Sequence, residues 1–492
     1  MAEYILSVDQ STQGTKGLLF DAAGALLARA DRTHEQYIDE RGWVEHDGTE
    51  ILKNTLTVTR EVIEKAGVDK NAVRAMGISN QRETVIPFDR KTGVPLYHAV
   101  VWQCSRGKEI CAGLHESAET VRQKTGLALS PYFSASKLAW LMQNVPTVRQ
   151  AAAEHRLALS TIDTFLLWHL TREHIFATEY SNAARTQLFN LNTLSWDEDL
   201  CTLFGVPRDA LADVRMSDSA FGTTDLDGYL ETPIPICGVL GDSNGALYGQ
   251  GCHTPGSGKA TYGTGSSVMM NLGKTPHLSS CGLVTSLAWG MGGKVAYVLE
   301  GNLNYTGAVI RWLREDVGLI QNDAEATALA ETANPTDRTC CVPAFTGLGA
   351  PYWDSEATAL LTGMTRTTGR AEIAKAALDC IAYQITDLVE LMRGELPDAL
   401  PVLRADGGPT ASGYLMQLQS DLSQLTVEVP EIQELSGLGA AYAAGISAGV
   451  YDPETIFQTT RRRCFTPQMP ATERNGRCAD WKAAVRQALT HP

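Results

Sequence analysis

Apolar and polar positions along this chain alternate between short apolar runs and turns built of small residues. Near the start, "YILSV" (Tyr4 to Val8) and "GLLF" (Gly17 to Phe20) flank a polar loop that contains Gly14. Two short apolar runs joined by such a loop predict a β-hairpin. The design returns at residues 261–273, "TYGTGSSVMMNLG", where Gly263, Thr264 and Gly265 precede Ser266, Ser267 and a further apolar run. A third glycine cluster, "ADGGPTASG" (Ala405 to Gly413), follows the apolar "PVLR" and precedes "YLMQLQSDL", whose apolar spacing is helical. Gly407 and Gly408 therefore fall at a predicted strand-to-helix turn, where a ligand can approach the backbone closely. Upstream, "PICGVLGDSNGALYGQG" predicts a strand ending at Gly241, with Asp242 leading a segment of small residues. Two like hairpins far apart in one chain predict two related domains closing on one nucleotide.

The polar residues in these turns suggest chemistry. A tight turn of small residues exposes successive N–H groups, and Ser11, Thr12 and Thr15 add hydroxyl donors. Such a concavity suits phosphate oxygens, with Lys16 as a point charge and Asp9 placed for a hydrated Mg²⁺. Two other readings exist: a surface hairpin whose polar residues only solvate a turn, and the aspartyl nucleophile of a phosphatase. The latter wants a second Asp two residues on, where Ser11 stands. Asp242 at a strand end reads equally as a general base and as a helix N-cap.

Composition narrows the class. At 492 residues the chain is long enough for two or more domains. With 44% hydrophobic and 20% charged residues it has the balance of a soluble globular protein. No apolar stretch approaches the roughly 18 residues of a membrane helix, and "MAEYILSV" runs straight into a strand without the pattern of a signal peptide. A formal charge of −15 with scattered Lys and Arg argues against a nucleic-acid partner. Eleven Cys without a C-x-x-C spacing fit reduced thiols, and the expected location is the cytoplasm.

Longer segments in the same order resemble the FGGY carbohydrate kinases, most closely their glycerol kinase branch. "YFSASKLAWL" (Tyr132 to Leu141) fits the first family signature, and "ALLTGMTRTTGRAEIAKAALD" (Ala359 to Asp379) fits the second. "ISNQRET" (Ile78 to Thr84), "VVWQCSRG" (Val100 to Gly107), "TIDTFLLWHLT" (Thr161 to Thr171), "VPAFTGLGAPYWD" (Val342 to Asp354) and "GLGAAYAAG" (Gly437 to Gly445) are similar to glycerol kinase segments. The resemblance runs nearly end to end. It implies an α/β chain of two actin-like, ribonuclease-H-type domains flanking a cleft, 1–246 and 247–492.

It also implies roles. Asp242 takes the proton of a substrate hydroxyl attacking the γ-phosphorus of ATP, and Asp9 helps hold Mg²⁺. Ser11, Thr12, Lys16, Gly263 and Thr264 hold phosphates; Gly407, Gly408 and Ser412 line the nucleotide, with Gly307 and Arg311 flanking it. Arg82, Glu83, Trp102, Tyr132, Asp242, Ser243 and Ser267 form the polyol or sugar pocket. Relatives of this kind are often dimers or tetramers, so a homo-oligomer is expected.

The chain departs from glycerol kinases at three places. Ser243 stands where Gln is usual, and Ser267 where an aromatic closes over glycerol. Both changes enlarge the pocket and make it more polar, so the expected substrate is a tetritol, pentitol or ketopentose, with glycerol as the alternative. In "GYLETPIPICG", Pro233 stands where an Arg would bind fructose 1,6-bisphosphate, and no inhibition by that compound is expected. A degenerate kinase acting as a sugar or nucleotide sensor would lack one of Asp9, Lys16, Asp242 and Thr264. All four are present.

Overall fold

The structure is a computed structural model that describes residues 2–396 and 400–490. Two mixed β-sheets form its centre. In the first, the hairpin Tyr4–Gln10 and Gly14–Asp21 is extended by Leu26–Thr33 on one side. On the other side Val73–Asn80 and then Ile234–Gly241 run parallel to Tyr4–Gln10. The second sheet repeats this plan: the hairpin Gly258–Tyr262 and Ser266–Gly273 is extended by Lys294–Leu303 and Val284–Met291. Parallel strands Val402–Asp406 and Thr426–Pro430 lie on its other side. Both predicted hairpins are present, and the two-domain α/β architecture is as the resemblance implies.

Strand Tyr4–Gln10 is covered on both faces, which is why Ile5, Leu6 and Val8 form a nearly unbroken apolar run and are fully buried. One cover is the helix Gly48–Ala66. Asp47 caps its start by accepting from the Thr49 amide, and Gly67 ends it in the left-handed region at φ 64°. Its Ile51, Val58 and Val62 recur at helical spacing and are buried against the sheet. The other cover comes from far along the chain: helix Leu435–Ser447 packs against the first sheet, and the Ser7 hydroxyl donates to the Gly437 carbonyl. It also crosses helix Asp242–Gly249 so closely that a Cβ on Gly439 would lie 1.9 Å from the Gly245 carbonyl oxygen. Residue 246 lies inside helix Asp242–Gly249, and the break between the two sheets falls at 250–257.

The second sheet has an apolar face and a mixed face. Ala260, Tyr262, Val268, Met270, Leu299 and Leu303 pack under the long helix Arg370–Glu395 in the core of the second lobe. The alternate residues of the same strands, Lys259, Thr261, Ser267, Met269, Glu300 and Asn302, turn the other way, toward the first lobe. Met269 and Val298 join Leu240, Ala246 and Leu247 in an apolar cluster that spans the junction. No described helix is long and apolar enough to cross a membrane.

Candidate active site

The strand ends and hairpin turns converge between the lobes. Asp9, at the end of the first strand, is 5% exposed and accepts a hydrogen bond from the Ser79 hydroxyl at 3.0 Å. Burial pushes its carboxyl up to about 6; Lys16 opposes the shift and the Asp242 charge adds to it. A desolvated carboxylate beside a second acid is short of positive charge, which fits a site for the cation that accompanies a nucleotide. Among the described residues no group of three or more His, Cys, Asp or Glu could hold a metal ion. A Mg²⁺ here would be coordinated largely by phosphate oxygens and water, as is usual for that ion.

The first turn is braced from several sides. The Ser11 hydroxyl and amide both donate to the Gly14 carbonyl, closing the loop on itself. The Thr12 carbonyl accepts from Gln36 at 3.0 Å and meets the His34 ring at 2.9 Å, while its hydroxyl accepts the Trp102 indole N–H at 2.9 Å. Lys16 is not free over the turn. Its ammonium sits 2.7 Å from Glu434 and 3.9 Å from Asp9. Glu434 also pairs with Arg29 and precedes helix Leu435–Ser447, so this cation ties the turn to the returning helix.

The second turn carries no charge. The Gly263 amide donates to Gly265, and the Thr306, Gly307 and Ala308 amides donate to the carbonyls of Gly263 and Thr264. The tip thus rests on the start of helix Gly307–Glu315, with Thr264 exposed. Arg311 is exposed further along that helix. Gly407 lies beside it at φ 98°, and a Cβ there would stand 1.9 Å from the Tyr262 carbonyl oxygen, so only glycine fits. Gly408 starts a short 3₁₀ turn in open space. The Ser412 hydroxyl caps helix Gly413–Ser423 and accepts from Thr327.

Asp242 follows the strand Ile234–Gly241 directly and opens its helix. One of its oxygens accepts the Ser243 amide at 2.6 Å, and the side chain remains one-third exposed. The nearest cation is Arg82, whose Nε is 3.5 Å away. Arg82 and Glu83 are not a solvated pair: they are 5% and 2% exposed. Both terminal nitrogens of Arg82 donate to Glu300, at 2.7 and 3.1 Å, and one also reaches Asn244. Glu83 holds a left-handed backbone at φ 61° and accepts from Arg185 at 2.5 Å, and Arg185 reaches on to Glu300 at 2.9 Å. Glu300 is fully buried. Burial alone would raise its carboxyl, but Arg185 and Arg82 together outweigh it and hold the group at about 2.

Trp102 and Tyr132 meet edge to face, centroids 5.2 Å apart, and both are half-buried. The loop that carries Tyr132 is held by Lys137, whose buried ammonium donates to the carbonyls of Pro131, Tyr132 and Phe133. Ser243 and Ser267 are half-buried. The structure therefore links Thr12, Trp102 and Tyr132 by contact, brings Asp242 beside Arg82 and within electrostatic reach of Asp9, and packs Gly407 against the strand that leads into Gly263. The sequence reading missed Arg185, Glu300, Lys259 and Glu434. Glu300 in "YVLEGNL" and Lys259 in "GSGKATY" were detectable as lone charges in strand-like segments, because an ion is rarely buried in a strand without a partner.

Residues 4–249 match the N-terminal domain of the FGGY family of carbohydrate kinases, and residues 258–448 match its C-terminal domain. Glycerol kinase 1 of Thermotoga maritima is 42% identical over 491 residues, 99% of this chain and all of the relative. The glycerol kinase of Symbiobacterium thermophilum is 42% identical over 489 residues, covering 99% and 98% of the two chains. Among solved structures, Plasmodium falciparum glycerol kinase with ADP superposes with a TM-score of 0.93 at 35% identity, covering 100% of this chain and 99% of that one. A xylulose kinase from Lactobacillus acidophilus, at TM-score 0.85 and 20% identity over 99% and 97% of the chains, shares the fold.

Proposed function

Since the chain belongs to the FGGY family of carbohydrate kinases, ATP-dependent phosphotransferases, we propose that its acceptor is a hydroxyl of a short linear polyol. At the level of the whole chain the relatives named glycerol kinase support glycerol, while at the pocket Ser243 and Ser267 keep a longer acceptor as the competing reading. The observation that carries the reading is Asp242. It ends a central strand between the two phosphate turns, is reachable from the cleft, and has Arg82 beside it.

In this mechanism the acceptor oxygen bonds to the γ-phosphorus while the bond from that phosphorus to the β–γ bridging oxygen breaks. ADP leaves, and the acceptor proton passes to Asp242. Positioning and charge neutralisation supply most of the catalysis in such transfers. The Thr12 hydroxyl of the first turn and the Thr264 hydroxyl of the second serve as donors to the phosphates and Lys16 adds positive charge beside Asp9, while Ser11, bonded to Gly14, and Gly263, bonded to Gly265, shape the two turns. Asp9 would help hold a Mg²⁺ accompanying ATP, and that ion would draw off phosphate charge. Arg82 spends its terminal nitrogens on Glu300, so its role is to fix the pocket and to offer Nε toward Asp242. Trp102 and Tyr132 offer ring surface to the carbon chain.

In this reading residues 1–246 carry the acceptor and metal side and residues 247–492 the nucleotide side, with Gly407, Gly408, Gly307, Arg311 and Ser412 around the nucleoside. Eleven unpaired thiols favour a reducing compartment such as the cytoplasm. The test is ADP release from Mg-ATP with glycerol and longer polyols, with Asp242→Asn alongside. The expected result is turnover of at least one polyol, reduced about 10³-fold or more in the variant. Equal turnover by Asp242→Asn, or no polyol accepted, overturns the reading.

A further inference from the structure

Three adjacent strands of the second sheet place Thr261, Ser267 and Asn302 side by side: Thr261 pairs with Ser267, and Ser267 with Asn302. Their side chains share the face turned toward the first lobe, and all three are half-buried. The next row along the same strands holds Lys259, Met269 and Glu300. Lys259 is fully buried, and its ammonium donates to the Thr261 hydroxyl at 2.6 Å and reaches the Ser267 hydroxyl at 3.4 Å. Among the described residues these are the only side-chain hydrogen bonds of Thr261 and Ser267, and the Asn302 amide has none.

The chemistry of this row follows from the lysine behind it. An ammonium has no lone pair, so each hydroxyl that Lys259 contacts serves as its acceptor and keeps its own proton to donate elsewhere. All three residues keep part of their surface open to solvent. Thr261 and Ser267 thus form a pair of donors, and Asn302 beside them offers both a carbonyl and an N–H₂. The row is close to the reacting centre. Two residues of strand, about 6.5 Å, separate Asn302 from Glu300, which holds Arg82 against Asp242. Burial lowers the pKa of the Lys259 ammonium, and the nearby Asp406, Glu300 and Asp242 carboxylates work against that shift.

We propose that Thr261, Ser267 and Asn302 form an extension subsite for the oxygens of an acceptor one or two carbons longer than glycerol, a linear tetritol, pentitol or ketopentose. This rests on the polyol-kinase reading above and sharpens it. A C4 or C5 chain with its terminal hydroxyl at Asp242 lays its further oxygens along the row, where two hydroxyl donors and one amide receive them. Lys259 is a positioning residue: it orients both hydroxyl protons toward the cleft and touches no substrate.

The experiment measures kcat/KM with Mg-ATP for glycerol, erythritol, threitol, ribitol, xylitol, arabitol, ribulose and xylulose in four proteins: wild type, Asn302→Ala, Ser267→Val and Lys259→Met. The wild type is expected to turn over one C4 or C5 compound more efficiently than glycerol. The ratio of its kcat/KM to that for glycerol should fall about tenfold in Asn302→Ala and Ser267→Val, mostly through KM. These two positions are half-buried, which keeps the test readable if Lys259→Met fails to fold. Wild type that prefers glycerol over every longer compound overturns the subsite while leaving the polyol kinase intact. A C4 or C5 preference with unchanged ratios in both Asn302→Ala and Ser267→Val also overturns it. Silence across the whole panel overturns the kinase reading and the subsite with it.

Discussion

The two small-residue turns occupy the same place in the same sheet plan, yet they are built differently. The turn after Gln10 is surrounded by charge: Asp9 is buried under it, Lys16 leans across it, and Glu434 and Arg29 complete a chain of ions to the returning helix. The turn after Tyr262 is neutral, with glycines and Thr264 whose carbonyls are tied to the start of helix Gly307–Glu315. One turn thus supplies a carboxylate and a cation. The other supplies backbone and one hydroxyl. A phosphoryl transfer needs a metal ion near one phosphate face and uncharged donors that approach closely on another. In the proposed reading the repeat divides these tasks, and the second turn reaches its geometry by packing, with Gly407 pressed against Tyr262.

The contrast breaks most sharply at Asp9. Asp9→Asn should cost about 10³-fold in kcat, in the range of losing a positioned charge in a phosphoryl-transfer site, measured by ADP release at saturating Mg-ATP. The same change should stabilise the free protein. An acid whose folded value is raised above its unfolded one pays in stability once both states are ionised, and that penalty fades as pH falls through about 6 toward the ordinary value of 3.8. At pH 8 the variant should therefore melt higher by a few degrees, and at pH 4 the gap should close. With Mg-ATP absent and pH varied, thermal unfolding checks it. Equal melting at both pH values would refute the burial argument.

At the neutral turn the leverage is steric. Gly407→Ala places a Cβ against the Tyr262 carbonyl in a left-handed backbone, and should cost about 2–3 kcal/mol of stability and raise the KM for Mg-ATP about tenfold. Chemical denaturation and nucleotide titration of the rate read the two effects separately. Thr264→Ala, by contrast, removes one exposed hydroxyl and should raise that KM with no measurable loss of stability.

A smaller effect is expected at the ion chain. Glu434→Gln releases Lys16 and Arg29 from the returning helix, and should raise the KM for Mg-ATP about threefold while kcat is nearly kept, with the difference shrinking in high salt. The smallest expectation is none at all: fructose 1,6-bisphosphate should not inhibit. Around Pro233 the nearby cation, Lys70, is already engaged by the Tyr229 carbonyl and Glu231. A saturable inhibition curve would overturn this.

Much of the site was legible from local pattern. Hairpins with small-residue turns, a carboxylate at a strand end and a glycine pair before a helix are features of a few neighbouring residues, and backbone sterics alone restrict what such stretches can form. The sequence therefore placed Asp9 and Asp242 at strand ends and Gly263 and Gly407 in the turns that follow strands, which is where the structure has them. Arg82 and Glu83 were legible as a charged pair, but their burial was not.

What only the tertiary structure decided is how the charges are partnered. Arg82 and its acceptor Glu300 are 218 positions apart, and Lys16 and Glu434 are 418 apart. Whether an arginine meets substrate or a second carboxylate depends on which strand of the other lobe lies against it, and no local spacing encodes that. The same holds for Lys259 behind Thr261 and Ser267. An amphipathic strand announces two faces, but the contact between lobes determines which face is dry, and dryness is what turns a lysine and two hydroxyls into an oriented set of donors.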